Sequence, residues 1–557
     1  MDGPQSLDAS PSTPVELDPR RPSWSAWLAL LLALAPALAA IAWMPEFTTQ
    51  DGPAHLYNAR ILNESLRLGS PFAGTFEVAW RPLPNWAGHM ATMAMISVLP
   101  PDAANRAITA LTLVAFAAAV TWLRWTVAGA KGLATAALLA ALLALNVTWL
   151  LGFTSFLLGA ALMPATLAVW WGGRDRFHPT RALALAALLV LGYFCHPISL
   201  GLTAVGLGLL ALLTPGADRV RRGVWTALGL APLVPLGLAY RAMTRSGGAM
   251  EPVWQHLAAN PWSPRSWVAQ LGWVDPLSLA AKTFHPFGGS PSAMNGVISP
   301  ALWTLAAVAL LALATGWRRS IDRRGWLALG VVLLLGGLLG PDTLGVKHGH
   351  YLPQRVALLG LVALVPWLDL GAGRRSTRLA TALLVVALAV QSAFVWDYAR
   401  DCRDRVGQFA SAAPAIGSGK RVGTLLMGIK GRFRSNPMLH ADCLFGVGAD
   451  NVIWANYETA HYYFPVKVRP GLDHPPALAF EDIALLDGPA EAGERARRWA
   501  ELIGSHADSI DVLVEWNPSD DRSLDPIQAR RYDRTFVDGP VRVWTRRASP
   551  TPDRGSE

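Results

Sequence analysis

The chain has 557 residues, 52% of them hydrophobic and 16% charged, with a formal net charge of +9. An average soluble domain carries roughly 25% charged residues, so composition and length together exclude a single ordinary soluble core. The arginines cluster in short loops between apolar runs, which is how membrane orientation signals are distributed, and this argues against a nucleic-acid partner.

Residues 1–22 are polar and rich in Pro and Ser, and read as a disordered cytoplasmic tail. A charge-free run then extends over Trp24–Met44. About 20 apolar residues cross a hydrocarbon layer of roughly 30 Å. No small-residue cleavage site follows this run, so the first span is expected to be retained. Further spans are predicted at 103–124, 132–150, 152–171, 181–195, 198–213, 223–240, 300–316, 326–340, 355–371 and 378–396. Residues 84–99 are short for a span and carry Asn85 and His89, so they read as a juxtamembrane or re-entrant helix. Residues 181–213 read either as two helices turning at Cys195-His196-Pro197 or as one Pro-kinked helix, and His196 reads as a structural residue of the kink, with a place facing the outer cavity as the alternative.

Placing the Arg-rich loops 172–181, 217–223, 317–325 and 371–378 in the cytoplasm fixes the parity of eleven crossings. The expected fold class is an α-helical polytopic protein of about 11 transmembrane helices (23–396) in the plasma (inner) membrane. Its outer loops fall at 45–102, 241–299 and 342–354, and its N-terminus is cytoplasmic. Residues 397–557 are predicted to form an extracytoplasmic α/β domain. In it, 423–429 and 510–516 read as buried strands, 494–505 as a helix, and 534–546 as a hairpin around Asp538-Gly539. The three cysteines lack metal-ligand spacing. Cys402 and Cys443 both fall in the outer domain, where a disulfide would persist, but spacing alone does not pair them; Cys195 is expected to stay a thiol.

Most polar residues that need explaining fall on the outer side. Asp51 and His55 are four apart, so a helix beginning at Gly52-Pro53 puts them on one face. Asp51 also suits an N-cap, a role compatible with chemistry. In the loop before span ten, Lys347, His348, His350 and Arg355 concentrate positive charge or donors where bilayer meets water. Such a cluster suits a phosphate headgroup, with Arg giving bidentate geometry. Snorkelling, or contact with anionic lipid, is the structural alternative.

Together these pieces resemble the GT-C superfamily of membrane glycosyltransferases, which take sugars from polyprenyl-phosphate carriers and include the dolichyl-phosphate-mannose and aminoarabinose transferase type. Asp51 in TTQDGPAHLYNA matches the acidic residue that follows the first span in that superfamily. Residues 81–86 (RPLPNW) are similar to its juxtamembrane helix, and HYLPQR (350–355) to its Arg-Tyr-x-x-Pro loop, with His350 where Arg is usual and Arg355 displaced. Two departures stand out. The outer turn 146–155 (NVTWLLGFTS) lacks the second carboxylate that many relatives carry, and no Trp-Trp-Asp signature is present.

The resemblance implies transfer of a sugar from a polyprenyl-phosphate donor to an acceptor hydroxyl on the outer side, with Asp51 as general base. Lys347, His348, His350 and Arg355 would hold the phosphate, and His55, Tyr57 and Asn58 would position the acceptor or orient Asp51. No cofactor is expected, and a divalent metal is doubtful because Asp51 and His55 offer few oxygen ligands. The rival readings are a non-catalytic transporter or envelope-assembly protein, and an inactive relative. Sparse charge within spans and the lack of an internal repeat weigh against a transporter.

Overall fold

The computed structural model describes residues 24–175, 178–215, 219–243, 264–280, 298–320, 323–344, 349–429, 431–486, 489–517 and 524–547. The helices of its first part run α1 (Trp24–Trp43), α2 (Gly52–Ser65), α3 (Ala87–Ile96), α4 (Pro101–Ala128), α5 (Leu133–Ala144) and α6 (Thr154–Gly173), with the short strand β1 (Phe76–Val78) between α2 and α3. Then follow α7 (Pro179–Cys195), α8 (Pro197–Leu213), α9 (Arg219–Leu230), α10 (Leu233–Met243), α11 (Pro264–Val274), α12 (Pro300–Ser320), α13 (Arg324–Leu339), α14 (Leu352–Leu364) and α15 (Arg374–Asp401).

The apolar character of α1 extends around the whole helix. Leu30 and Leu34 are buried against neighbours, while Leu28, Leu31 and Leu32 remain more than half exposed. A helix that presents leucine on its outer face is solvated by lipid, not water. Among the described residues, four helices are long and apolar enough to cross a membrane, or five if the bent pair α9–α10 counts as one span. Six shorter apolar helices accompany them. The chain is an integral membrane protein; length and apolarity account outright for four or five of its eleven predicted crossings.

Three local outcomes refine the predicted spans. At ten residues α3 rises about 15 Å, half the hydrocarbon thickness, in keeping with a helix that does not cross. The run predicted at 132–150 breaks at Asn146. Its amide donates to the carbonyls of Leu143 and Ala144 (2.9 and 3.0 Å), and its oxygen accepts the Trp149 N–H at 3.1 Å, capping a new turn. Residues 181–213 form two helices, α7 and α8, that pack on each other and turn at an extended His196 (φ −161°, ψ 132°).

The C-terminal part carries β2 (Arg421–Leu426), β3 (Val452–Ile453), β4 (Val466–Val468), α16 (Ala477–Ala484), α17 (Ala492–His506), β5 (Val512–Trp516), β6 (Tyr532–Asp538) and β7 (Val541–Arg546). The five-stranded sheet has the order β3-β2-β5-β7-β6, parallel at β3-β2-β5 and antiparallel through the β6–β7 hairpin. The predicted hairpin is present, but its connecting residues are Gly539-Pro540, one position beyond the expected pair, because Asp538 still pairs with Val541; Gly539 takes the left-handed φ of +54° that glycine adopts without penalty. β5, whose every residue is buried, occupies the centre of the sheet.

β4 pairs with β1, the strand between α2 and α3. One hydrophobic cluster contains Leu56, Tyr57, Phe72 and Phe76 from the α2–β1 stretch together with Leu425, Trp499, Leu513 and Val543 from the C-terminal part. The two distant stretches of sequence therefore share a core, and the cavity described next lies at their seam. Cys402 and Cys443 are both buried free thiols, so the disulfide considered for them is not formed. The Cys402 thiol instead faces the Thr48 carbonyl at 3.5 Å.

Candidate active site

A cavity of about 420 Å³ is lined by Asp51 and His55 before and within α2, by His350 and Arg355 before and within α14, and by His440, Tyr457 and Glu481 of the C-terminal part. Four residues singled out from sequence thus converge on one space although about 300 positions separate the two pairs. Lys347 and His348 lie outside the described residues.

Asp51 directly precedes α2 and is 8% exposed. Its strand of backbone is pinned by N–H donation from Gln50 and Asp51 to the carbonyls of Leu150 and Leu151, at 3.0 and 3.1 Å. Gly152 makes that approach possible: its φ is +82°, and a Cβ there would meet Thr49 Oγ1 at 2.5 Å. The Asp51 carboxylate makes no side-chain cap to α2, so the capping role considered from sequence is not realised. It instead faces the cavity, with His440 Nε2 at 3.5 Å and Gln50 Nε2 at 3.5 Å. Burial pushes its pKa up to about 6, with a further contribution from Glu458; His55 and the Gln50 and Tyr457 hydrogen bonds oppose this.

Glu458 anchors the acidic side of the site. Its Oε1 lies 2.5 Å from His55 Nδ1 and its Oε2 2.7 Å from His89 Nε2. Burial alone would raise its pKa, but the two imidazoles outweigh it and hold the group ionised well below the usual carboxylate range. His55 moves the other way. Burial favours its neutral ring, yet Glu458, Asp51 and the Gly152 carbonyl together raise its pKa. His440, stacked on Tyr457 at 4.3 Å, is pushed down to about 3 by burial and by His55, and so is neutral.

The ligand atoms of His55, His89 and Glu458 all lie within 4.8 Å of one another, a donor set of the kind that holds transition metals. The spacing does not fit an ion held between them. Ligands about 2.1 Å from a tetrahedral metal sit more than about 3 Å apart, whereas these N···O separations are those of direct hydrogen bonds.

Arg355 forms the opposite wall. It is 7% exposed, and its guanidinium lies over the rings of Phe153 and Phe156, at 4.2 and 5.2 Å from their centroids. Its Nη1 is 3.0 Å from His196 Nε2, and its Nε is buried with no partner among the described residues. Among those residues no carboxylate lies within ion-pairing distance of it. Before it, Tyr351 adopts a left-handed φ of +58°, uncommon for an aromatic residue, with its ring against Phe153 and Trp273.

Tyr57 and Asn58 are not at the cavity, which corrects their expected positioning role. The Tyr57 hydroxyl donates to the Asn451 carbonyl at 2.8 Å, and Asn58 exchanges amide hydrogen bonds with Asn456 at 2.9 and 3.0 Å. Both tie α2 to the C-terminal part. Sequence reasoning in turn missed Glu458, His440, Tyr457 and Glu481. The one available signal was the run Tyr457–Phe464 (YETAHYYF), dense in aromatic and titratable groups for a soluble segment. The Glu481 carboxyl has no hydrogen-bond or ion-pair partner among the described residues, and its pKa is raised to about 8 by burial first, then by Asp51, Asp482 and Asp442.

No protein-family model and no curated protein matches this sequence. Among solved structures the chain is similar to the arabinofuranosyltransferase AftD from Mycobacteria, at 15% identity and a TM-score of 0.45, over 95% of this chain and 40% of that one. It is similar to ArnT from Cupriavidus metallidurans in the apo state, at 14% identity and a TM-score of 0.44, over 94% and 98%. It is also similar to the archaeal oligosaccharyltransferase AglB from Archaeoglobus fulgidus, solved with an inhibitory peptide and a dolichol-phosphate, at 10% identity and a TM-score of 0.38, over 96% and 75%. The chain spans about 40% of the length of AftD. At these identities no residue role is carried across.

Proposed function

We propose that the chain is a membrane glycosyltransferase that moves a sugar from a polyprenyl-phosphate donor to an acceptor hydroxyl at the outer face of the membrane. The observation that carries this reading is Arg355, a buried cation with no anion beside it among the described residues, in the same cavity as a buried carboxylate. A guanidinium withdrawn from water costs several kcal/mol unless an anion offsets the loss. Two phenylalanine faces supply part of that compensation through cation–π attraction. A ligand phosphate supplies the remainder.

In this reading Arg355 binds the donor phosphate, with His350 lining the same cavity, and stabilises the charge that grows on the phosphate oxygen as the sugar–oxygen bond breaks. Asp51, its pKa near 6, is ionised at neutral pH and accepts the proton of the acceptor hydroxyl as that oxygen bonds to the sugar carbon. His55 and Glu458 fix the wall from which Asp51 acts. No step in this scheme is routed through a metal.

The test is a transfer assay with full-length protein in lipid nanodiscs and a radiolabelled polyprenyl-phosphate sugar, read against Arg355→Ala. Transfer to a hydroxyl acceptor, together with a donor affinity about tenfold or more weaker in Arg355→Ala, is the expected result. Donor binding unaffected by the substitution would remove the reading's main support.

A further inference from the structure

We propose that His196 is the second donor of an oxyanion-binding pair with Arg355, acting through Nε2–H of the neutral imidazole. The occupant is a phosphate-class oxyanion, and the inference rests on the reading of Arg355 as a phosphate ligand.

The argument begins with the turn between α7 and α8. His196 is the last residue before Pro197 opens α8, and its Nδ1 accepts the backbone N–H of Ile198 at 3.2 Å. A neutral imidazole has one acceptor nitrogen and one donor nitrogen. With Nδ1 engaged as acceptor, Nε2 carries the hydrogen. That Nε2 lies 3.0 Å from Nη1 of Arg355, a group with donors only. Two N–H groups at this separation cannot bond each other, and a single acceptor bridging the pair satisfies them together.

The opposite tautomer does worse. Nε2 would then accept from Arg355, but Nδ1–H would face the Ile198 N–H inside a buried helix cap, and that pair of donors would remain unmet. His196 and Arg355 both line the cavity, so the side with room for an acceptor is the side on which the first tautomer leaves its donors. The surroundings fix the charge of the acceptor. The His196 ring sits edge-on to Phe156 at 5.4 Å, and the rings of Phe153 and Phe156 underlie the guanidinium. A neutral carbonyl would satisfy both N–H groups yet leave the Arg355 charge without compensation. An oxyanion with several lone pairs does both.

Two substitutions separate donor from cap. Glutamine places its amide nitrogen near the position of imidazole Nε2, whereas asparagine places its oxygen near Nδ1. His196→Asn therefore keeps the cap and removes the donor, and His196→Gln keeps a donor and removes the cap. Undecaprenyl phosphate in lipid nanodiscs is titrated into the full-length wild type, both variants and Arg355→Ala, with inorganic phosphate as competitor and a thermal melt of each protein.

The expected result is an affinity about tenfold weaker in His196→Asn and within about threefold of wild type in His196→Gln, since a hydrogen bond to a charged group is worth roughly that factor. Competition by inorganic phosphate shows that a free oxyanion fits the pair, and absence of competition assigns it to the lipid headgroup; the order of the variants is the same in both cases. The reverse order, or both variants binding as wild type, overturns the inference while leaving Arg355 in place. Equal binding by wild type and Arg355→Ala instead overturns the phosphate reading of Arg355, and His196 falls with it.

Discussion

The two walls of the cavity solve the problem of buried charge in opposite ways. On the wall built from α2, α3 and the C-terminal part, Glu458 meets His55 and His89 through separate oxygens, so that wall is compensated internally. On the membrane-helix wall, Arg355 meets aromatic faces and a histidine nitrogen, with no carboxylate among the described residues. A compensated charge network rigidifies a structure, whereas an uncompensated cation beside a cavity waits for a ligand. The contrast assigns scaffolding to one wall and binding to the other, with Asp51 standing between them.

Breaking the reactive element of this arrangement should have the largest effect. Asp51→Asn removes the proton acceptor but no helix cap, because the carboxylate makes none. Transfer should fall by about 10²–10⁴ while donor affinity stays near wild type, and the melting temperature at neutral pH should be at or above wild type, because a buried carboxylate whose pKa is raised costs stability when ionised. A purified Asp51→Asn protein transferring sugar at the wild-type rate would end the general-base assignment.

The scaffolding wall is tested by Glu458→Gln. The change leaves His55, whose raised pKa depends on Glu458, without its anion, and weakens both contacts that join α2 and α3 to the C-terminal part. Removing one partner of a buried pair costs about 3 kcal/mol or more. A clear drop in melting temperature and loss of transfer should follow, both measured on the same preparation. Unchanged stability would show that the triad is not what holds the seam closed.

These two tests fall on residues of unequal legibility. Asp51 and His55 were readable from their i, i+4 spacing after an apolar run, and Arg355 from its place before one, because local patterns carry that information. The strand at 510–516 and the 534–546 hairpin were readable for the same reason. Glu458 was not, since it is 403 positions from His55 and no short-range pattern links them. Tyr57 and Asn58 misled in the complementary way: they neighbour Asp51 in sequence, but β1–β4 pairing brings the C-terminal part onto their side of α2 and buries them there. The broken span at Asn146 depends on side-chain hydrogen bonds that a hydropathy average does not register.

A pH profile sharpens the comparison with a smaller effect. Asp51 must be ionised to accept a proton, and its pKa lies near 6. Activity should therefore rise about tenfold from pH 5 to pH 7 with a midpoint close to 6, and Asp51→Asn should abolish that limb. A midpoint near 4 would mean that Asp51 is solvated in the working enzyme, or that another group sets the profile.

The smallest effect on turnover is expected at Glu481, and its sign distinguishes a bystander from a second catalytic carboxylate. With a pKa of about 8 the group is mostly protonated at pH 7, so Glu481→Gln replaces one neutral group with another of similar shape. Transfer at pH 7 should stay within about threefold of wild type. Stability should respond more. A carboxyl whose folded pKa exceeds its unfolded value holds its proton in the folded state, so stability falls as pH rises from about 4.5 to about 8 and then levels off. Gln does not titrate, so Glu481→Gln should melt above wild type at pH 8 and alongside it at pH 4. If the variant instead loses tenfold or more of its transfer at pH 7 with its melting temperature unchanged, Glu481 is at work as an ionised partner of Asp51. The acidic wall would then supply the second carboxylate that the 146–155 turn lacks.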